Sequence, residues 1–231
     1  MTDKKEQIIT PKGIVGPYPA IDRVDYGTDK YPDKDGSYKC EIRLDKTLPA
    51  TKKLIEKLDA MVPAIEKEVE AFKKKQLKTK GEKVDITLNP LYRTVYDEDG
   101  EETNLVAVKA KTKASGINKK SGEKWERQIP IRDSRGTLIK KSLGISTGSE
   151  IKMAMTVGDI YVNPNAGAGR AFYLDSIMLY ELVQYGGDNP FGDEDLEEGG
   201  YEYDASDAKE PTNDFEKEDN SDDEEPDFAA S

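Results

Sequence analysis

The chain has 231 residues, 35% of them hydrophobic and 35% charged, with a net charge of −12. It contains no histidine and one cysteine, which removes histidine-based acid–base and nucleophile pairs, most zinc sites and any internal disulfide. No stretch approaches the roughly 18 apolar residues of a membrane span, and Met1 to Gln7 lack the apolar run of a signal peptide.

The acidity is unevenly held. Residues 188–231 carry 19 acidic and 2 basic side chains, a net of −17, which leaves +5 on residues 1–187. A mildly basic body and a strongly acidic tail are therefore expected to behave as separate units.

Residues 8–21 mix apolar side chains with Pro11, Pro17 and Pro19, and read as an irregular edge strand because proline donates nothing to a ladder. Residues 25–36 are rich in turn formers and read as a loop. Tyr38, Cys40, Ile42 and Leu44 then alternate with Lys39, Glu41 and Arg43, the period of a half-buried strand. Cys40 reads there as a small core residue, which suits a reducing cytoplasm.

Helical spacing begins near residue 50. Leu54, Leu58, Met61, Ile65, Val69 and Phe72 fall on one stripe up to residue 77. Pro63 interrupts it and predicts a kink or the start of a second helix.

Beyond residue 84 the pattern returns to strands. Asp99-Gly100 between strand-like runs signals a hairpin. Its return strand, residues 104–113, sets Val106, Val108, Ala110 and Thr112 on one face and Lys109, Lys111 and Lys113 on the other. A Gly-rich loop leads to a strand at 125–131. Two longer strands, 150–162 and 171–183, close the body, with Gly158 marking a bulge. The predicted fold is mainly β: an OB-fold-like five-stranded antiparallel Greek-key barrel with an inserted α-helix, over residues 1–187. Strand count alone does not separate it from a β-sandwich. Residues 188–231 are too acidic and too poor in aliphatic side chains to fold, and are expected to form a disordered tail.

The lysine row is the chief candidate for chemistry. Three ammonium groups on one strand face repel one another unless anions lie against them. Lys120 and Arg127 add charge from the following segment, and Lys39 and Arg43 from the earlier alternating strand. One reading is a solvated face; the other is a groove for phosphates. Tyr161, entering an Asn/Pro/Gly loop, is the first candidate for stacking on bases, and Trp125 the second. Phe172 and Tyr180 look core-facing by alternation. The run Gly144 to Ser149 lacks the lysine and following helix of a phosphate loop. Body carboxylates such as Asp133, Asp159 and Asp175 are scattered at turns, which gives a metal-dependent nuclease little support. No cofactor or metal site is expected.

The order of several short motifs is familiar: Asp25-Tyr26-Gly27, Gly36-Ser37-Tyr38-Lys39, Asp133-Ser134-Arg135-Gly136, Gly148-Ser149-Glu150-Ile151-Lys152, and Ser176 to Leu182 followed by Tyr185-Gly186-Gly187 and the acidic tail. In this order the chain resembles the replicative single-stranded DNA-binding proteins of bacteriophages of the short-tailed type. The resemblance implies a non-enzymatic OB-fold homodimer that binds single strands without sequence preference in the cytoplasm of the infected host. It implies that Tyr161 lies where the family stacks bases, and that Lys109 and Lys111 lie on the strand of its basic contacts. It also implies a tail that competes for the DNA groove and reaches the replicative DNA polymerase and primase-helicase, here through Asp222, Asp223, Glu224, Glu225, Asp227 and Phe228. The family's tail ends on an aromatic residue, whereas Ala229, Ala230 and Ser231 follow Phe228. The rival reading is an acidic-tailed protein-interaction or assembly module that binds no DNA.

Overall fold

The structure is a computed structural model that describes residues 5–81 and 83–184. In chain order the elements are β1 (Gln7–Ile9), β2 (Gly13–Val15), β3 (Ala20–Thr28), β4 (Tyr31–Asp45), α1 (Pro49–Asp59) and α2 (Val62–Lys80). They continue with β5 (Arg93–Tyr96), β6 (Glu102–Lys113), β7 (Ser115–Ile117), β8 (Lys124–Glu126), β9 (Ile131–Arg132), β10 (Leu138–Ile139), β11 (Glu150–Asn163) and β12 (Gly167–Glu181). Ten strands form one sheet along the path β10-β9-β12-β11-β2-β4-β6-β5, with β1 on β11 and β3 on β4; β7 and β8 pair separately. The fold is mainly β, as expected, but with more than five strands. One pairing, β9 with β12, is parallel.

The long β4–β6 ladder organises one side. Its register sets Cys40 opposite Ala110, Ile42 opposite Val108 and Leu44 opposite Val106. All six are buried. Because side chains alternate across a strand, the same register turns Lys39, Glu41 and Arg43 outward beside Lys109, Lys111 and Lys113. The β11–β12 hairpin supplies the other side of the core through Ile151, Met153, Met155, Phe172, Leu174 and Ile177. Helix α2 packs against this hairpin, burying Ile65 and Val69, while Leu54 and Leu58 continue the stripe on α1. Pro63 lies in the first turn of a second helix, where a missing N–H breaks no bond. The second of the two expectations for Pro63 is therefore the one realised.

Several segments depart from the sequence reading for identifiable reasons. Residues 8–21 hold two short strands and the start of β3 rather than one edge strand, and β2 lies inside the sheet between β11 and β4. The prolines fall between those strands, where no ladder bond is forfeited. Residues 25–36 are no loop: β3 and β4 run on as a hairpin that pairs Asp25 with Ser37 and Thr28 with Tyr31. Gly27 and Gly36 there take φ of 80° and 62°, which glycine adopts without penalty. The strand expected at 125–131 is divided into β8 and β9. The Asp99-Gly100 hairpin and the irregularity at Gly158 are both present.

Asp22 of β3 ties down the segment that precedes β11. Its Oδ2 accepts hydrogen bonds from the N–H groups of Leu143 at 2.7 Å and Gly144 at 2.6 Å, and from Ser142 Oγ at 2.9 Å.

Cys40 is wholly enclosed, and burial pushes its thiol up to about 12. The thiolate is the reactive form, so at about pH 8 only about one molecule in ten thousand carries it. A thiol reagent such as DTNB is expected to leave the folded protein unlabelled and to titrate one thiol after denaturation. Rapid labelling of the native protein would contradict this packing.

Candidate nucleic-acid interface

The outward face of β4 and β6 is built around a carboxylate rather than around lysines alone. Glu41 is only 4% exposed although it lies on the outer face. Its Oε2 accepts from Arg93 Nη2 of β5 at 2.7 Å and lies 3.7 Å from Lys109 Nζ, while Oε1 lies 3.6 Å from Arg43 Nε. Gly16 forms the floor beneath it: a Cβ at that position would come within 2.8 Å of Oε1. A carboxylate withdrawn from water needs such partners to offset its desolvation. In return it holds three cations at fixed places on one surface.

The rest of the row is paired from the β3–β4 hairpin. Lys39 pairs with Asp25, Lys111 with Asp33 at 3.6 Å, and Lys113 with Asp35. Lys39, together with the N–H of Gly27, holds the Asp25 carboxyl below the usual carboxylate range. Asp35 pushes the Lys113 ammonium above its ordinary value. The anions required beside a lysine row are thus partly internal. Exposed pairs of this kind contribute little, because water and salt screen them, so a competing phosphate can replace them.

β6 passes beside β12, and a pocket lies at each end of the passage. The near pocket, about 290 Å³, is lined by Tyr92, Arg93, Lys109, Tyr161, Arg170 and Phe172, among others. The far pocket, about 360 Å³, is lined by Thr112, Lys113, Trp125, Arg127, Thr156, Tyr173 and Asp175. From Lys109 to Lys113 the strand rises about 13 Å, so the lysine row links the two pockets.

Each of three aromatic rings along this passage rests on a glycine of the neighbouring strand. Tyr161 of β11 lies over Gly169 of β12, its register partner; a Cβ there would meet the Tyr161 hydroxyl at 2.9 Å. Tyr173 of β12 lies against Gly158 of β11, and Trp125 of β8 against Gly116 of β7, with Cβ clearances of 2.8 and 2.7 Å. Only glycine leaves room for rings so placed. Tyr161 is also pinned at its hydroxyl by Asn89, whose Nδ2 donates to it at 3.0 Å and to the carbonyl of Ala166 at 2.7 Å. Arg127 lies over the Trp125 ring, 5.6 Å from its centroid, and its Nη1 donates to Thr112 Oγ1 at 2.7 Å.

The structure brings together most of the residues singled out from sequence. Lys109, Lys111, Lys113, Lys39 and Arg43 share one face, and Tyr161 lines the near pocket. Trp125 and Arg127 line the far pocket, where the Arg127 guanidinium lies over the Trp125 ring. Lys120 is exposed at the tip of the β7–β8 hairpin and lines neither pocket. Asp222, Asp223, Glu224, Glu225, Asp227 and Phe228 lie outside the described residues.

Arg93, Arg170, Asn89, Glu41 and Tyr173 join the site without having been singled out from sequence. Tyr173 is within reach of such a reading, since Phe172 and Leu174 on either side of it are buried. Tyr180 departs from its expected core position. It is 36% exposed, because β12 carries an extra residue: Leu174 pairs with Met155 and Ser176 with Ala154, leaving Asp175 unpaired. Beyond that bulge the buried positions become Ile177 and Leu179, which turns Tyr180 out between Lys12 and Lys152.

A cationic passage flanked by rigid rings defines a binding surface for a flexible polyanion that carries flat groups. Residues 12–182 match the family described as single-stranded DNA-binding protein, Bacteriophage T7. The chain belongs to that family, whose members are binding proteins and not enzymes. It is 27% identical to the single-stranded DNA-binding protein of Enterobacteria phage T3 over 204 residues, covering 86% of each. It is 26% identical to that of Escherichia phage T7, covering 82% of each. The crystal structure of gp2.5, a single-stranded DNA-binding protein encoded by bacteriophage T7, superposes with a TM-score of 0.61 at 24% identity, covering 87% of this chain and all of that one. Among the described residues no helix is long and apolar enough to cross a membrane.

Trp125 is the single tryptophan, so its fluorescence reports this corner alone. Arg127→Ala is expected to uncover the ring and shift its emission to the red, whereas Lys120→Ala is expected to leave it unchanged. Unchanged emission in the arginine variant would mean that the guanidinium does not lie over the ring.

Proposed function

We propose that the chain coats single-stranded DNA during the replication and recombination of a phage, in the cytoplasm of its bacterial host. The observation that carries this reading is the lysine row of β6, which joins two aromatic-walled pockets on one face. Phosphates lie along Lys109, Lys111 and Lys113, with Lys39 and Arg43 beside them, and bases stack on Tyr161 and in the pocket of Trp125 and Arg127. Such interactions are made to backbone and ring faces, which every nucleotide has, so binding is broadly tolerant of sequence. The close approach of β6 to β12 supports reading the curved sheet as a barrel of the OB type. Family membership and the common fold support the same function.

The acidic segment 188–231 forms the second unit, a tail that competes with DNA for the basic face and recruits the replicative polymerase and primase-helicase. A homodimer is the working assembly. The carboxylates Asp25, Asp33 and Asp35 set the strength of the interface, since a phosphate must displace them.

Filter retention of oligo-dT tests the reading. Strong retention at low salt is expected, falling steeply with salt, and deleting residues 188–231 is expected to strengthen it. No retention at low salt by the deleted form would overturn the proposal. Replacing Lys109 and Lys111 by alanine is expected to weaken binding and to flatten the salt dependence by about 0.7 in logarithmic slope for each phosphate no longer neutralised. The triple change Asp25→Asn, Asp33→Asn and Asp35→Asn is expected to act oppositely, tightening binding about tenfold at low salt. Isothermal titration over a salt series reads both.

A further inference from the structure

The far pocket holds a group that general affinity for DNA does not require. Asp175 is a carboxylate in the wall of a pocket whose other charged lining residues are Lys113 and Arg127. A negative charge at that point repels phosphate, and, unlike Asp25, Asp33 and Asp35, Asp175 forms no ion pair among the described residues.

The carboxylate is built into place. Asp175 is the extra residue of the β12 bulge, and bulges re-aim single side chains beside functional sites. Its Oδ2 is engaged twice, by Thr156 Oγ1 at 2.6 Å and by Gln7 Nε2 at 3.1 Å. Among the described residues no hydrogen bond reaches Oδ1. A fixed acceptor with one oxygen left over therefore lines the pocket two residues from Tyr173, which is 39% exposed and whose ring is braced against Gly158.

We infer that the far pocket seats one base against Tyr173 and reads it through Asp175, favouring bases that present an exocyclic amino group. A carboxylate accepts well from the N4 amino group of cytosine, whereas thymine presents only a carbonyl oxygen at that position. Repulsion between that oxygen and the carboxylate acts against thymine as well. Lys113 takes the neighbouring phosphate, which orients the nucleotide with its base toward Asp175. The inference rests on the single-strand reading above and adds a base preference at one position of an otherwise tolerant interface.

Oligo-dC and oligo-dT of equal length test it, because the two pyrimidines are equal in size. The full chain is expected to bind oligo-dC about fivefold more tightly than oligo-dT near neutral pH, at a salt concentration where both bind measurably. Asp175→Asn, whose amide also donates, is expected to erase or reverse the ratio. Equal affinity of the unaltered chain for the two oligomers, or an undiminished preference in the asparagine variant, would overturn the inference and leave single-strand binding intact. Failure to bind either oligomer would overturn both.

Because Asp175 also receives two internal hydrogen bonds, Tyr173→Leu provides a second variant that leaves those bonds in place. It is expected to weaken oligo-dC binding more than oligo-dT binding. Unchanged affinity for both would remove the base from this pocket.

Discussion

The register of β4 against β6 is the constraint on which the rest depends. From Ser37 opposite Lys113 to Asp45 opposite Leu105 the ladder runs without a shift. A slip of one residue would turn either Ile42 and Leu44 or Val106 and Val108 toward water, and the lysines of that strand into the core, since the side-chain period is two. Core and basic face are therefore set together. The interface cannot be dismantled by local rearrangement while the core survives, and its cations stand at intervals set by the backbone. Glu41 adds to this constraint, because its burial is tolerated only where Arg43, Arg93 and Lys109 converge.

The internal carboxylates give the face a specific electrostatic character. Left bare, Lys39, Lys111 and Lys113 would repel one another in the free protein and hold an arriving phosphate strongly. Paired with Asp25, Asp33 and Asp35, they would, on the proposed reading, exchange one anion for another when a strand arrives and exchange back when it leaves. The net gain at each lysine is therefore small. Affinity then depends on many weak, salt-sensitive exchanges summed along the groove.

Much of this is legible in sequence. The alternation of residues 104–113 places the lysine row on one face without ambiguity, and the helical stripe at 54–72 matches the structure, including the break at Pro63. The departures share a cause: each turns on which strands meet. Residues 25–36 look like a loop because their Asp and Gly content is that of turns, yet pairing across the hairpin keeps them extended. Tyr180 belongs to an alternation that one bulged residue inverts. Glu41 reads as an ordinary solvent-facing residue of an amphipathic strand until Arg93, 52 positions away in sequence, is found against it. Asn89 has no local signal at all; its role depends on the β11–β12 turn that it clasps.

If bases stack on Tyr161, Tyr173 and Trp125 as proposed, the three ring-on-glycine pairs account for how a shallow surface grips a flexible chain. A single strand loses conformational freedom when it binds, and a mobile side chain that stacks on it loses more. Tyr161, Tyr173 and Trp125 have already lost theirs, since each ring is held against a glycine that admits it and Tyr161 is tethered by Asn89 as well. Stacking energy, about 1–3 kcal/mol per base, is then set only against the ordering of the DNA. The same rigidity makes a base preference feasible at the far pocket. In the proposed pocket Asp175 discriminates between bases only if the ring beside it fixes where the base edge falls, and the packing of that ring on Gly158 limits its movement. On the reading proposed above, tolerance along the lysine row and selectivity at one end of it arise from the same device: rigid ring faces that accept any base, and a single braced carboxylate beside one of them that does not.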